Sequence, residues 1–440
     1  MRSESRVAVA IVGGGFSGTI VAAQLARRGI ASALIDGSGR AGKGVAYSTT
    51  EPAHLLNVRA EGMSAWSGEP DDFARRFESE GGDRRGFAQR RFFARYLADI
   101  LDEAVAKGVE VVASSASRAL RLDEGWRIEL DGGEKLDADA LVLAIGNQEP
   151  EPLNAFTGAG GRYIRNPWGP DARTAVEDLV ATGASALLVG TGLTMVDLVL
   201  SLDAAGHRGR IVALSRRGLV PRAHADFEPA PVEEKDVPGG NLRALWRWLR
   251  RRSAQVGWRA AVDGLRPYSH PLWQSFSAEE QRRFLRHARP WWDVHRHRIA
   301  PEVAQTVARM VSEGRLEVVA GRLVSAQPTD EGLEVGYRRR GSPSTQSATF
   351  AYAFNCTGPL HSMARTKDPL LRSLLDAGQV RPDHLGIGLE VDEESRPAGS
   401  EGLWALGPLT KGRYWEIIAV PDIREQAAAV ADDIARELGR

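Results

Sequence analysis

Short apolar runs alternate along this chain with stretches whose apolar positions recur every three to four residues. Residues 6–12 are β-rich, residues 17–28 carry small and apolar side chains at helical spacing until Gly29, and residues 30–35 are apolar again. Two strands around one helix form a βαβ unit, which requires a parallel sheet. Residues 37–86 break the pattern; they are irregular and rich in Gly, Ser and Pro, which over such a length predicts a binding loop. Helical spacing returns at 91–107, where Phe93, Leu97, Ile100, Leu101 and Ala104 share a face and Gly108 ends it. Strands follow at 109–112, 126–130 and around Leu136, with Asp131-Gly132-Gly133 as a hairpin turn, and a buried strand at 141–145 ends at Gly146.

A second βαβ unit begins at Ser185, with strand 186–189, turn Gly190-Thr191-Gly192, helix 193–204 and strand 210–214. The wide separation of the two units predicts two nucleotide-binding domains rather than a tandem repeat. Residues 221–310 are polar, helical and tryptophan-rich, as expected of an insertion that covers a substrate. Strands resume at 316–319, 333–337 and 352–356, the last running into Thr357-Gly358-Pro359, and a strand at 403–406 and helix at 423–438 return to the first domain. The pattern predicts an α/β fold of two Rossmann-like dinucleotide-binding domains, glutathione-reductase-like, with the second nested in the first. Residues 1–160 and 345–440 form the first, and residues 161–344, with the helical insertion at about 221–310, form the second.

Composition narrows the function. At 440 residues the chain has room for several buried cores. Its 57 basic residues balance 57 acidic ones, removing the long-range field a nucleic-acid or membrane binder would use. Cys356 is the sole cysteine, which excludes an internal disulfide, a CxxC pair and the dithiol chemistry of thioredoxin reductases. No spacing of histidines and acids suggests a metal. The apolar run at 7–12 is too short for a signal or membrane segment, so a cytoplasmic protein is expected. Homo-oligomerisation stays open. Forty-seven glycines imply many tight turns or close approaches to a ligand.

The strongest motif is Gly13-x-Gly15-x-x-Gly18, between a strand and a helix, with Asp36 ending the next strand. Gly13 permits the turn, Gly15 lets backbone approach a pyrophosphate, Gly18 allows close packing, and Asp36 would hold ribose hydroxyls. Phe16 and Ser17 lie in the same turn. The second motif, Gly190-Thr191-Gly192, carries Met195 at the third glycine position, which demands looser packing. Its following strand ends in Arg216-Arg217 rather than an acid, which suits the 2′-phosphate of NADPH. The loop Gly42-Lys43-Gly44 and the stretch to Asn57 and Met63 are placed to meet a flavin ring. Gly146, Gly358 and Gly407 end strands at the same edge, and the positive end of the last helix, near Pro421-Asp422, would favour a reduced flavin's negative charge. Asn57, His295 and Trp415 are the candidates for contact with the reacting centre. No Ser-His-Asp or paired-carboxylate pattern is legible, as expected where a cofactor carries the chemistry.

The strings GGGFSG, GKGVAYSTTEPAHLLNVRAEGMS, LLVGTGLTMVDLVLSL, ALSRRGLVPRAH, HRHRIAP, NCTGP and GPLTKGRYWEIIAVPDIREQA resemble the bacterial FAD/NAD(P)-binding oxidoreductase family, which is distantly similar to flavin N-hydroxylating and Baeyer-Villiger monooxygenases. The resemblance implies FAD on the first motif and a nicotinamide cofactor on the second. With the absence of redox cysteines, it leads to the expectation of a single-component monooxygenase, in which NADPH reduces FAD and O2 forms a flavin hydroperoxide that hydroxylates a small, nitrogen-bearing substrate. An FAD-dependent amine dehydrogenase or oxidase that does not use NADPH, and a non-enzymatic flavin-bound partner protein, remain alternatives.

Overall fold

The structure, a computed structural model, describes residues 5–439. Strands β1 (Ser5–Val12), β2 (Ser32–Ile35), β3 (Val109–Val112), β4 (Ala116–Arg121), β5 (Trp126–Leu130) and β6 (Lys135–Leu143) lie in the order β3-β2-β1-β6-β5-β4. The first four in that order are mutually parallel, and β5 and β4 extend them as an antiparallel meander. Val9, Ala10 and Ile11 are fully buried, because cores cover both faces of the sheet; the continuous apolar run has that cause.

Helix α1 (Phe16–Arg27) is buried almost along its whole length, its small residues letting neighbours lie close. The stretch expected to be an irregular loop contains α2 (Gly44–Tyr47) and α3 (Asp72–Ser79) before α4 (Arg90–Ala106). Helix α3 buries only Phe73 and Ala74, too short an apolar stripe to show in the sequence. The rings of Phe92, Phe93 and Tyr96 on α4 pack around Phe73 and hold it.

The second sheet holds β7 (Tyr163–Ile164), β8 (Ala186–Val189), β9 (Ile211–Ser215), β10 (Leu316–Thr329), β11 (Gly332–Arg339), β12 (Gln346–Phe350) and β13 (Tyr352–Asn355), in the order β12-β11-β10-β9-β8-β13-β7. Strand β10 serves twice: its first residues pair in parallel with β9, and from Gly321 onward it pairs antiparallel with β11. Strands β12 and β13 belong to this sheet, so the chain leaves it after Asn355, not at residue 345 as the pattern suggested. The apolar β13 finds burial on both sides between β8 and β7.

Helices α5 (Pro170–Thr182) and α6 (Leu193–Ala204) flank this sheet. The excursion between β9 and β10 consists of α7 (Leu242–Val256), α8 (Trp258–Leu265), α9 (Ser269–Ser275), α10 (Ala278–Arg283) and α11 (Arg289–Arg296), with a core of its own that includes Leu245, Leu265, Trp273, Phe284 and Trp292. It is shorter than expected. Helix α12 (Pro301–Ser312) already returns Val303, Val307 and Met310 to the core beside α6. Helix α13 (Pro369–Asp376) packs on β4, strand β14 (Leu403–Ala405) pairs with β6, and α14 (Val420–Glu437) lies along α1. Among the described residues no helix is long and apolar enough to cross a membrane.

Buried polar contacts tie the two sheets' helices together. Arg90 at the start of α4 grips Asp197 on α6 through both guanidinium nitrogens, at 2.8 and 2.9 Å, with side chains 14% and 8% exposed. The ring of buried His54 lies 2.8 Å from the Thr49 hydroxyl on one side and 2.9 Å from the Asp197 carbonyl on the other. Removing one member of a buried pair strands the other charge, so Arg90→Ala is expected to lower stability by about 3–5 kcal/mol. Denaturant and thermal unfolding would check this; a loss no larger than that from breaking the exposed Arg27–Glu69 pair would refute the clamp.

Candidate functional site

Two glycine turns repeat one backbone arrangement. At the first, the Gly13 N–H donates to the Ile35 carbonyl at 2.9 Å and the Ala144 N–H to the Val12 carbonyl at 2.8 Å; at the second, Gly190 donates to Leu214 and Cys356 to Val189, both at 2.8 Å. Gly13 has φ +106° and Gly190 φ +124°, and an added Cβ would fall 2.4 Å from the Ala144 oxygen or 2.1 Å from the Cys356 oxygen. Each turn therefore lies where strand order reverses, at the crevice outside the carboxyl ends of a parallel sheet.

At the first turn, a Cβ on Gly18 would come within 1.9 Å of the Gly13 oxygen, so α1 lies directly against the turn. Gly15 caps α1 with no side-chain hydrogen bond and no acid in the first turn, the arrangement that favours an anionic phosphate. Asp36 accepts the Gly14 N–H at 2.8 Å on one carboxylate oxygen and the Ser38 N–H at 2.8 Å on the other. Gly44 folds over this turn, since its Cβ would fall 2.8 Å from the Gly15 Cα, and Lys43 beside it is exposed. Gly407, at φ +61°, has room for its turn only because it lacks a Cβ, which would lie 2.7 Å from the Ser17 hydroxyl. Gly146 turns with φ +76° just beyond Ala144. An uncapped helix end and a cradle that Cβ atoms would fill fit the diphosphate of FAD.

Two sequence candidates lie differently. Met63 is 2% exposed and packs in the core with Ala60, Ala65 and Trp66, because the 3-10 turn at Ala60–Gly62 points its thioether inward. Asn57 is half-buried, and its carbonyl accepts from His224 at 3.0 Å. Burial lowers the His224 pKa to about 4. At the far end of the chain, Pro421 and Asp422 lie inside the first turn of α14, which puts an acid at the helix's positive end. Burial raises the Asp422 pKa against Arg266, Arg296 and His270, and one carboxylate oxygen is buried without a hydrogen bond.

At the second turn, Gly192 caps α6 with no side-chain hydrogen bond, and an added Cβ there meets nothing within 4 Å. Met195, in the third glycine's place, is fully buried in the core beneath α6. The Thr191 hydroxyl lies 2.8 Å from that of Ser215, which accepts the Gly218 N–H at 3.0 Å, and these bonds shape the turn after β9. A cleft of about 940 Å³ opens over Gly190, Thr191 and Gly192.

Arg216 lines the cleft and Arg217 does not, since successive residues leaving a strand point to opposite sides. Its companion is Arg322. Ala320 pairs with Ser215 across β10 and β9, which brings Arg322 to the same rim. Among the described residues neither Arg216 nor Arg322 has an ion pair. Gly358, φ +89°, lines the cleft too.

The opposite wall combines α11 with the segment after β14. Arg289 and Asp293 face the cleft from the helix and His297 from its C-terminal cap, and Lys411, Trp415 and Glu416 from the segment. His295 does not. Its ring N–H donates to the Trp291 carbonyl, 2.7 Å away, and the ring meets Trp258 edge-on, whereas His297, past the helix end, faces inward. Glu416 is buried and accepts from the Trp292 indole at 2.6 Å and Arg296 at 2.7 Å. Burial works against that carboxylate, but Arg296, His297 and the two hydrogen bonds outweigh it and hold its pKa low. Burial raises the Asp293 pKa against Arg289 and lowers that of His297. Trp415 stacks on Trp273 at 5.0 Å, anchoring the segment to the insertion's core. Arg289, Arg322, Lys411 and Glu416 were not singled out from the sequence; Lys411 and Glu416 fall within the C-terminal string that carries the family resemblance, and His297 falls within HRHRIAP.

Residues 10–148 match the family model described as FAD-NAD(P)-binding. No curated protein sequence matches the chain. Among solved structures, the chain is similar over 98% of its length to L-lysine 6-monooxygenase from Pseudomonas syringae, covering 99% of that protein at 16% identity and a TM-score of 0.68. The reduced form of ornithine hydroxylase from Pseudomonas aeruginosa aligns with 98% of this chain and 99% of its own, at 16% identity and a TM-score of 0.66. Thioredoxin reductase from T. acidophilum aligns with 99% of this chain and 100% of its own, at 12% identity and a TM-score of 0.56. These likenesses show the two-domain Rossmann-like fold, and the family model supports binding of FAD and a nicotinamide cofactor.

The two glycines of the second turn should respond differently to a methyl group. Gly190→Ala is expected to destabilise by about 1–3 kcal/mol through its positive φ and its clash with the Cys356 carbonyl. Gly192→Ala, with open space around it, should fall within about 0.5 kcal/mol of the parent. Parallel unfolding curves test this, and equal losses would refute the turn geometry.

Proposed function

We propose that this protein is a single-component flavin monooxygenase that uses NADPH and O2 to hydroxylate a small, nitrogen-bearing substrate. One observation carries the choice of a monooxygenase over the disulfide reductases that share the fold. The chain has a single cysteine, Cys356, which is buried at the end of β13 with its thiol pKa raised by burial. A lone buried thiol whose ionisation is disfavoured has no second thiol with which to relay electrons to a disulfide. The names of the neighbouring lysine monooxygenase and ornithine hydroxylase support the same reading.

In this assignment Gly13, Gly15, Phe16, Ser17 and Gly18 cradle the FAD diphosphate and Asp36 meets its ribose, with Lys43, Gly44, Gly146 and Gly407 closing the crevice. Gly190, Thr191 and Gly192 cradle the NADPH diphosphate, Gly358 borders it, and Arg216 with Arg322 binds the 2′-phosphate. FAD, when bound, supplies the transfer of electrons from NADPH to O2. The chain's own task is to bind, orient and exclude water: Trp415 and the α11 wall close the cleft on the side away from the sheet. Overall, one NADPH, one proton and one O2 are consumed, one oxygen atom enters the product and the other leaves as water.

The purified protein should be yellow, hold about one FAD per chain, and bleach anaerobically with NADPH faster than with NADH. With an amine panel under ¹⁸O2, one labelled atom should enter product. A flavin bleached by substrate but not by NADPH would overturn this reading in favour of a dehydrogenase. Arg216→Ala with Arg322→Ala should reduce the preference for NADPH over NADH roughly 10- to 100-fold, as expected for lost charge-assisted phosphate contacts. Arg217→Ala should leave that preference within about twofold, since it adds no cleft contact. Unchanged preference in the double variant would refute the phosphate assignment.

A further inference from the structure

The cleft wall across from the second glycine turn carries more positive charge than its own acids neutralise. Glu416 is committed to Trp292 and Arg296, and Asp293 to Arg289 at 3.2 Å. Lys411 has no hydrogen bond or ion pair among the described residues, although it lines the cleft and is only partly exposed. The acid that acts on it is Asp383, whose two carboxylate oxygens accept the N–H groups of Leu385 and Gly388 at 2.7 and 2.5 Å. Withdrawing an ammonium group from water without a partner is costly, a cost relieved by a lowered pKa or by an anionic ligand that supplies the partner.

Position separates this charge from the NADPH phosphates. Arg216 and Arg322 stand at the ends of β9 and β10. Lys411 directly follows the 3-10 turn Gly407–Thr410, and Gly407 touches Ser17 in the first glycine turn. Lys411 is therefore on the FAD side of the cleft. Arg289 is held there from two sides, by Asp293 and by the Trp415 ring, over which its guanidinium lies 5.5 Å from the centroid.

We propose that Lys411 and Arg289 form the seat for a carboxylate, so that the substrate is a small organic anion bound through that group at the FAD side of the cleft. This rests on the flavin-dependent reading above and adds to it the substrate's charge. The groups that face Lys411 are Arg289 from α11, His361 from the segment after β13, and Asp383 from the loop before β14. Burial and Arg289 lower its pKa to about 8. Its charge is present below that pH and lost above it, so anion affinity should fall as pH rises through about 8, and a bound carboxylate moves the midpoint upward.

The test is calorimetric titration of the FAD-loaded protein, saturated with NADP⁺ to block the phosphate contacts, with succinate and with its uncharged isostere succinamide. Succinate should bind and succinamide should bind at least about tenfold more weakly, the value of one charge-assisted contact. Lys411→Met should weaken succinate about tenfold or more, and Lys411→Arg should restore it to within about threefold. Lys367→Met, which removes a cation from the neighbouring cavity lined by Glu149 and Asp368, should change nothing. Equal binding of the two probes, undiminished succinate affinity in Lys411→Met, or displacement of succinate by NADP⁺ would each overturn the proposal. Anaerobic bleaching by NADPH is measured on the same samples. Normal bleaching without a succinate preference removes only the anion seat, whereas a parent protein that NADPH cannot bleach removes the monooxygenase reading and leaves the charge measurement standing.

Discussion

Arg90 and Asp197 are both too deeply buried to stand as lone ions, and each comes from a different half of the molecule. Their bidentate contact fixes the start of α4 against the middle of α6. Arg90 also donates to the Leu55 carbonyl at 3.1 Å, and its own N–H donates to the His54 carbonyl at 2.9 Å. One side chain therefore joins the loop over the first glycine turn to the helix that begins at the second. Because α6 starts at Gly192, the separation of the two dinucleotide crevices is set by this ion pair and by the His54 contacts around it. A rotation of one half against the other would have to break a buried pair at about 3–5 kcal/mol, which opposes a change in the separation of the two glycine turns.

The two halves reach the same crevice geometry with different packing. In the first, Gly18 is obligatory because helix and turn are in contact. In the second, a full methionine side chain replaces that glycine, and α6 is displaced enough for Met195 to be buried rather than excluded. The glycine that cannot vary is the first of each motif, where a strand on the far side of the reversal brings a carbonyl oxygen into the space of a side chain. Met195 thus changes the tightness of helix packing without disturbing the N–H groups that would meet a diphosphate, which is why the departure from the usual motif is compatible with a nicotinamide site.

Periodicity and glycine spacing made the sheets, both βαβ units and both turns legible, because those features depend on residues close in sequence. What escaped depended on residues far apart. The destination of β13 was missed because an apolar run specifies burial on two sides but not between which neighbours. Helix α3 was missed because its stability comes from the rings of α4 rather than from its own stripe. Arg322 rather than Arg217 joins Arg216 at the cleft for a similar reason: Arg217 lies next to Arg216 in sequence, Arg322 near it across β10 and β9. His295 and His297 were distinguishable only once the end of α11 was known.

The wall of the cleft shows how buried charge is organised to keep one cation available. Glu416 takes the indole N–H of Trp292 and the guanidinium of Arg296, and so closes the contact between the insertion and the segment after β14 without touching Lys411. Asp293 draws Arg289 toward α11, and Asp383 satisfies backbone N–H groups below Gly412, where an added Cβ would strike its carboxylate at 2.4 Å. Asp422 sits in the first turn of α14, at the helix's positive end; burial raises its pKa, against the pull of Arg266, Arg296 and His270. The acids of that wall are thus paired or bound to backbone, and among the described residues the ammonium of Lys411 is left there without an ion pair, as Arg216 and Arg322 are at the other rim of the same cleft. The sign of that space follows from where the acids are spent, not from an excess of basic residues in the chain, whose totals are equal.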